Sequence, residues 1–366
     1  MRKLISVLLV GVLVLSLFSG CGSSDDIKIE GNGEQVVSDG KYVYYVEDIG
    51  EMHVGQIRRV ALGDGGGKSE LVYDGMAACL NLSQDGKLYF LSGDGISWIK
   101  LGDSNSGKTD LVKGFRDWFE LNGDWIYFLS HGFDAGRPRG IYRTNVNTLK
   151  TEMFIDGKEN AMGEFAFWFV GDVFYYIAYS KQEKDLGLMK KHVNGDESTF
   201  IMGVGLSHFY RDETNFYVTD KYIYCRTISD GTIKRIDFDG KNEEIIYTES
   251  GEKELSIMFA DNDFVYLINK NSTDGFSDCY RIKSDKPDQI EQIVKNSEEA
   301  GENNWNGYFT STEFVAGKIF VKFNSYGDKY AGGTDGKTDG YYCMDRDGKN
   351  SFKLLAEGDT YEESAK

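Results

Sequence analysis

Asp117-Trp118-Phe119-Glu120-Leu121-Asn122-Gly123-Asp124-Trp125-Ile126-Tyr127-Phe128-Leu129-Ser130 decides the fold. A short strand enters the turn Asn122-Gly123-Asp124, where glycine supplies the positive φ of a tight hairpin. Trp125 to Ser130 then runs apolar on nearly every residue, as a strand covered on both faces does. His131 to Arg139 reads as a loop, Ile141-Tyr142-Arg143-Thr144-Asn145 as a third strand, and Lys150 to Ile155 as a fourth. Such a sheet has two apolar faces and cannot bury either alone.

The phrase at its centre is a turn residue, then Lys or Asp, then three apolar or aromatic positions. It returns as Gly40-Lys41-Tyr42-Val43-Tyr44, Gly86-Lys87-Leu88-Tyr89-Phe90, Gly123-Asp124-Trp125-Ile126-Tyr127, Gly171-Asp172-Val173-Phe174-Tyr175, Asp220-Lys221-Tyr222-Ile223-Tyr224, Asn262-Asp263-Phe264-Val265-Tyr266 and Gly317-Lys318-Ile319-Phe320-Val321. Successive turn residues lie 46, 37, 48, 49, 42 and 55 positions apart, the spacing of a propeller built from one four-stranded sheet per repeat. Where glycine is missing, Asp220 and Asn262 stand in, side chains that tolerate the left-handed region. The expectation is an all-β, seven-bladed β-propeller with four antiparallel strands per blade over residues 34–356. The fifth position of the phrase is aromatic in six repeats, and these rings are expected to fill the wedges between blades rather than to stack on sugars.

The phrase, with third strands such as Gly140-Ile141-Tyr142-Arg143 and Thr232-Ile233-Lys234-Arg235-Ile236, resembles the YWTD-type propellers of low-density lipoprotein receptors. Bacterial lipoproteins of unassigned function carry a related domain, and the chain is similar to those. The YWTD tetrad itself is absent, so the resemblance implies a fold and transfers no ligand site.

Arg2 and Lys3 precede an uncharged stretch, Leu4 to Phe18, that is shorter than the roughly 20 residues of a bilayer span. Phe18-Ser19-Gly20-Cys21 resembles a lipobox, with Phe18 where that family usually has Leu. The resemblance implies a lipoprotein signal peptide over 1–20, a lipid on Cys21, and residence on the outer face of the cytoplasmic membrane or envelope. The plainer alternatives are an ordinary secreted protein or a single transmembrane anchor. Residues 21–33 read as the lipidated cysteine and a flexible polar tether, and 357–366 as a disordered tail.

Composition agrees with an exported β-protein. Lys and Arg number 41 against 59 Asp and Glu, a formal net charge of -18, which repels nucleic-acid phosphate and anionic headgroups. The lipid, not a basic patch, is therefore expected to hold the chain at a membrane. There are 23 Tyr, 23 Phe and 44 Gly but only 2 Pro, a balance that favours strands joined by tight turns. Cys79, Cys225, Cys279 and Cys343 have no metal-knuckle spacing; two disulfides or buried free thiols both fit, with free thiols preferred.

Several motifs have plainer readings. Gly102-Asp103-Ser104-Asn105-Ser106-Gly107-Lys108-Thr109 matches a phosphate-binding loop, but that loop needs a following helix, and Asp110 to Lys113 reads as a strand. Asp237-Phe238-Asp239-Gly240-Lys241-Asn242 and Asp345-Arg346-Asp347-Gly348-Lys349-Asn350 echo calcium loops, yet each lacks the first of the three alternating ligands and sits where the repeat needs a turn. His53, His131, His192 and His208 share no zinc spacing, and no nucleophile elbow occurs. No metal, cofactor or catalytic residue is assigned.

The longest connections are 131–139, 180–186, 203–214, 269–278, 296–310 and 324–340, all expected on one rim. Arg137, Trp305, Tyr326, Asp328 and Tyr330 lie there and are the candidate ligand-binding residues. The chain thus reads as a monomeric, non-catalytic binding or scaffolding propeller for an envelope protein, peptide or glycan. The alternative is an extracellular glycosidase or lyase on the same scaffold.

Overall fold

The structure is a computed structural model and describes residues 28–48, 54–62, 68–103, 107–114, 118–132, 136–157, 162–180, 183, 185–203, 216–227, 231–248, 255–269, 278–287, 289–296, 304–305, 307–325 and 340–354. Every described element is a strand, and each of the seven phrases falls at a hairpin. The first sheet contains β1 (Val36–Ser38), β2 (Tyr42–Asp48), β3 (Gly55–Ala61), β4 (Glu70–Leu82), β5 (Lys87–Ser92), β6 (Gly95–Lys100) and β7 (Thr109–Lys113), in that order. Five further sheets follow: β8 (Phe119–Asn122) to β9 (Trp125–Ser130), β10 (Gly140–Asn145) and β11 (Thr151–Asp156); then β12 (Met162–Val170), β13 (Val173–Ser180), β14 (Asp185–His192) and β15 (Ser198–Gly203). The next is β16 (Phe216–Val218), β17 (Ile223–Thr227), β18 (Thr232–Ile236) and β19 (Glu244–Thr248). The fifth holds β20 (Leu255–Ala260), β21 (Phe264–Asn269), β22 (Asp278–Lys283), β23 (Ile290–Asn296) and a short parallel edge strand β24 (Asn304–Trp305), and the last β25 (Gly307–Val315), β26 (Lys318–Ser325), β27 (Gly340–Asp345) and β28 (Phe352–Lys353).

The expected seven separate blades do not form. Five propeller blades stand beside one curled, seven-stranded half-barrel sheet. The cause is β4, which is 13 residues long. Its first part pairs with β3 (Arg59↔Glu70, Gly55↔Ala77) and its second with β5 (Ala78↔Leu91, Leu82↔Leu88), so no loop separates the first two repeats. The curl encloses its own apolar cluster, with Tyr44 and Ile57 on one side and Leu88 and Phe90 on the other. Where this sheet meets β8, side chains replace a ladder. Asn81 Oδ1 accepts the Leu121 amide at 2.8 Å, and its Nδ2 donates to the Phe119 carbonyl at 3.3 Å. Asn32 binds both backbone groups of Leu82.

The first and last sheets meet by packing. Val36, Tyr45 and Val60 lie against Val315, Phe320 and Cys343. Glu30 bridges Ser38 in the first sheet, and its carboxylate accepts the Ala316 amide at the start of the last sheet's hairpin at 2.7 Å.

The fifth-position aromatics are all buried, as packing requires, but the phrase conceals a frame shift. Tyr44, Tyr127, Tyr175, Tyr224 and Tyr266 face the next element of the ring, whereas Phe90 and Val321 face the preceding one. In those two repeats Tyr89 and Phe320, one position earlier, point forward. In a strand a one-residue shift exchanges faces. Turn chemistry explains the last repeat: its two-residue turn is Ala316-Gly317, glycine second, while Gly123-Asp124 and Gly171-Asp172 place glycine first. The stand-ins for glycine also differ from expectation, since neither Asp220 nor Asn262 takes a positive φ. The residue before each caps the turn: Thr219 Oγ1 accepts the Tyr222 amide, and Asp261 Oδ1 accepts that of Phe264, local bonds typical of such side chains.

Candidate functional site

One constellation recurs at the forward face of four repeats. An arginine on the third strand lies over the ring at the phrase's third position: Arg59 over Tyr42 at 4.5 Å, Arg143 over Trp125 at 4.4 Å, Arg235 over Tyr222 at 4.8 Å and Arg281 over Phe264 at 4.7 Å. Each guanidinium pairs with a fourth-strand glutamate: Arg59 with Glu70 at 2.6 Å, Arg143 with Glu152 at 2.7 Å, Arg235 with Glu244 at 2.6 Å and Arg281 with Glu291 at 2.7 Å. Three of them reach the next blade as well. Arg143 donates to the Val193 carbonyl at 2.7 Å, Arg235 to that of Ser284 at 2.7 Å and Arg281 to that of Arg346 at 3.0 Å. The planar guanidinium suits this duty: in three clamps its Nε and Nη2 converge on one carboxylate oxygen while its face rests on a ring. The partners keep Arg59, Arg143 and Arg235 above the ordinary guanidinium pKa although burial opposes the charge.

The remaining repeats fill the same place in other ways. Lys87 lies 5.2 Å from the Trp98 ring centroid, cation and ring having exchanged strands. Cys343, paired with Phe352, makes the place apolar in the last blade. In the blade β12–β15 it is not filled. Val173 stands where the others have a ring, Lys190 where they have arginine and Thr199 where they have glutamate, as the pairings Tyr175↔Lys190 and Lys190↔Thr199 establish. All three are smaller or thinner than the groups they replace.

A cleft of about 500 Å³ opens there. Val170, Val173 and Tyr175 form one wall, Lys190, His192, Glu197 and Thr199 another, and Phe238 of the next blade closes the far side. The Tyr175 and Phe238 rings are 6.1 Å apart. Lys190 Nζ donates to the Phe238 carbonyl at 2.7 Å, the counterpart of the arginine bonds to the next blade. Unlike those arginines, Lys190 has no carboxylate partner among the described residues. It is half-buried, whereas His192, Glu197 and Thr199 are exposed at the mouth. Lys191 borders the cleft, but its ammonium turns to the preceding wedge, 3.3 Å from the Phe154 carbonyl, where burial lowers its pKa. Burial also raises the Tyr175 phenol, so this ring is a neutral wall. The polar groups can therefore hold an anion by charge and hydrogen bonds while the walls cover an apolar body.

The cleft lies at the hairpin rim, opposite the long connections. Of the residues placed on that other rim, Arg137 is described with its side chain. It packs over Phe128 at 5.7 Å, with a buried Nη1 that has no hydrogen-bond partner among the described residues. Trp305, expected in a loop, is in strand β24, paired with Asn296. Cys21, Tyr326, Asp328 and Tyr330 lie outside the described residues. Neither Arg137 nor Trp305 lines the cleft. The phosphate-loop match ends in strand β7, with Lys108 bound to Asp110 at 2.9 Å. Both calcium-like segments are turns in which Asn242 and Asn350 bind Asp237 and Asp345 at 2.6 Å. Among the described residues no three His, Cys, Asp or Glu side chains converge as a metal site would. Cys79, Cys225, Cys279 and Cys343 are buried thiols, with no disulfide among them.

No protein-family model and no curated protein matches the chain. Solved structures do. The β-propeller domain of the Trilobed protease from Pyrococcus furiosus, with an open velcro topology, is similar at a TM-score of 0.53 and 11% identity, over 91% of this chain and 98% of that one. An acylaminoacyl peptidase from Pyrococcus horikoshii is similar at 0.53 and 13%, over 88% of this chain and 51% of its own. An oligogalacturonate lyase in complex with manganese is similar at 0.48 and 12%, over 88% and 87%. At such identities the first two show a β-propeller scaffold, and chemistry does not travel with a scaffold.

Proposed function

We propose that the chain is an exported lipoprotein, held at the cell envelope through Cys21, whose propeller binds an envelope protein, peptide or glycan without altering it chemically. The observation that carries the binding role is the cleft. One repeat gives up the clamp that its neighbours use, and the loss opens a space of about 500 Å³, within the size range of small-molecule sites. Stability alone would favour filling this place, as six repeats do with the clamp or with other side chains, so leaving it open at one repeat has the character of a functional exception to a structural rule. The lipid anchor rests on the order of charge, apolar stretch and Phe18-Ser19-Gly20-Cys21, and the surplus of acid speaks against nucleic acid as a partner.

Two experiments test this reading. Cells fed a labelled fatty acid should label the native chain and not Cys21→Ala; label on both, or on neither, refutes the anchor. Thermal-shift screening with envelope peptides and glycan fragments should find ligands that stabilise the native protein and lose their effect when Val173→Trp and Thr199→Glu fill the cleft. Ligands that stabilise both proteins equally would move binding elsewhere.

A further inference from the structure

The geometry points to a specific ligand chemistry for this cleft: a carboxylate carried on a flat apolar or aromatic group. This inference rests on the binding role proposed above and names what is bound. In four repeats the third-strand cation meets a carboxylate from the fourth strand and a ring from the second. At Lys190 both partners are missing, because Thr199 and Val173 occupy their places. The cation remains, half-buried and anchored by the Phe238 carbonyl at 2.7 Å. A ligand carboxylate would supply the missing acid, hydrogen-bonded by Lys190 and the Thr199 hydroxyl. Its apolar body would take the missing ring's place between Val173, Tyr175 and Phe238. In a chain of net charge -18, a half-buried cation without a described acidic partner is where a small anion gains most. His192, paired in register with Val173, adds a donor at the mouth. Glu197 borders the same mouth with the opposite sign, so the apolar body and Lys190, not long-range charge, must supply the affinity.

Free aromatic acids and the C-terminus of a peptide ending in an aromatic residue both carry this chemistry. The experiment is calorimetric titration of the purified full-length protein with matched pairs: indole-3-acetate against indole-3-acetamide, and Ala-Ala-Phe against its C-terminal amide. The acids are expected to bind and their amides to bind about tenfold or more weakly, the worth of a charge-assisted bond. The stronger acid shows whether the site takes a free small molecule or a chain end. Lys190→Met should reduce acid binding by about tenfold or more and leave amide binding unchanged. The triple substitution Val173→Trp, Lys190→Arg, Thr199→Glu rebuilds the clamp, and should abolish binding while raising the melting temperature. Equal affinity for acid and amide, abolished by the triple substitution, would refute the carboxylate while sparing the cleft as a binding site. Acid binding that survives the triple substitution, or no binding of either acid at millimolar concentration, would overturn the inference.

Discussion

Removing the arginine from a complete clamp should cost more than removing Lys190 from the open one. Arg143 holds Glu152 through two of its nitrogens, with side-chain exposures of 18% and 30%. A partly exposed pair of this kind contributes about 0.5–1 kcal/mol. Its guanidinium lies 4.4 Å from the Trp125 centroid, worth about 0.5–1 kcal/mol more. The bond to the Val193 carbonyl at 2.7 Å joins two blades and contributes about 1.5 kcal/mol as a charge-assisted bond. Arg143→Ala should therefore destabilise by about 2.5–3.5 kcal/mol. Lys190→Ala loses only its one bond to the Phe238 carbonyl and should cost about 1.5 kcal/mol. Urea unfolding followed by tryptophan fluorescence measures both. If the two substitutions shift the midpoint equally, or if Arg143→Ala leaves it unchanged, the clamp is not a stabilising unit and its loss at Lys190 has no special meaning.

The stability gap between the native protein and Arg143→Ala should narrow in acid by the worth of the Glu152 pair, about 0.5–1 kcal/mol. Hydrogen bonds from Lys150 and then Arg143 hold the Glu152 carboxyl below its ordinary value, so its contribution is complete above that value and disappears as pH falls through the folded one; a gap between the proteins that stays constant below pH 4 would contradict this. Burial pushes the Cys279 and Cys343 thiols up to about 12, so a thiol reagent at pH 8 should label neither until the protein unfolds, and rapid labelling of the native chain would show that these strands open. Gly348→Ala should be severe, because at φ 80° the new Cβ would meet the Ile293 carbonyl oxygen at 2.0 Å and β23 must shift. Gly171→Ala, at φ 56° with open space around it, should cost only about 1 kcal/mol; equal losses at the two glycines would show that backbone conformation, not the blade contact, sets the cost.

The repeat was legible because the turn and the strand after it are local. Gly123, Gly171 and Gly317 all take the positive φ that marks a hairpin in sequence. The number of separate blades was not legible, because it depends on what happens between repeats. Residues 74–82 read as the end of one repeat and the start of the next, and nothing local distinguishes a loop there from a strand that changes partners. Only the pairing of Ala77 with Gly55 and of Ala78 with Leu91 shows that β4 continues.

The cleft was hidden by register. Arg143 and Glu152, or Arg235 and Glu244, stand in plain view in the sequence, but the arginine and glutamate lie 11, 9, 9 and 10 positions apart in the four clamps, so no fixed spacing pairs them. A bulge intervenes at the same point in six third-to-fourth strand pairings, so that Val72, Leu111, Phe154, Ile201, Ile246 and Ile293 are each passed over in the ladder. Each of these apolar residues belongs to, or packs against, a core between neighbouring elements. A bulge puts two residues of one strand opposite one of the other; here it lies beyond the Arg–Glu pair as counted from the hairpin and leaves that pair in register. Counted from its own hairpin, Thr199 falls in the glutamate's place and Lys190 in the arginine's. The exception then becomes readable from the chain itself: a column that is aromatic, Arg and Glu in four repeats is Val, Lys and Thr in one. The bulge carries an apolar residue into each wedge, and the hairpin side of the same two strands carries the clamp at the mouth, so the blade β12–β15 keeps its core through Ile201 while leaving its mouth open. A site made this way can vary without threatening the fold, because Val173, Lys190 and Thr199 lie at the rim and the sealed wedge beneath them is complete.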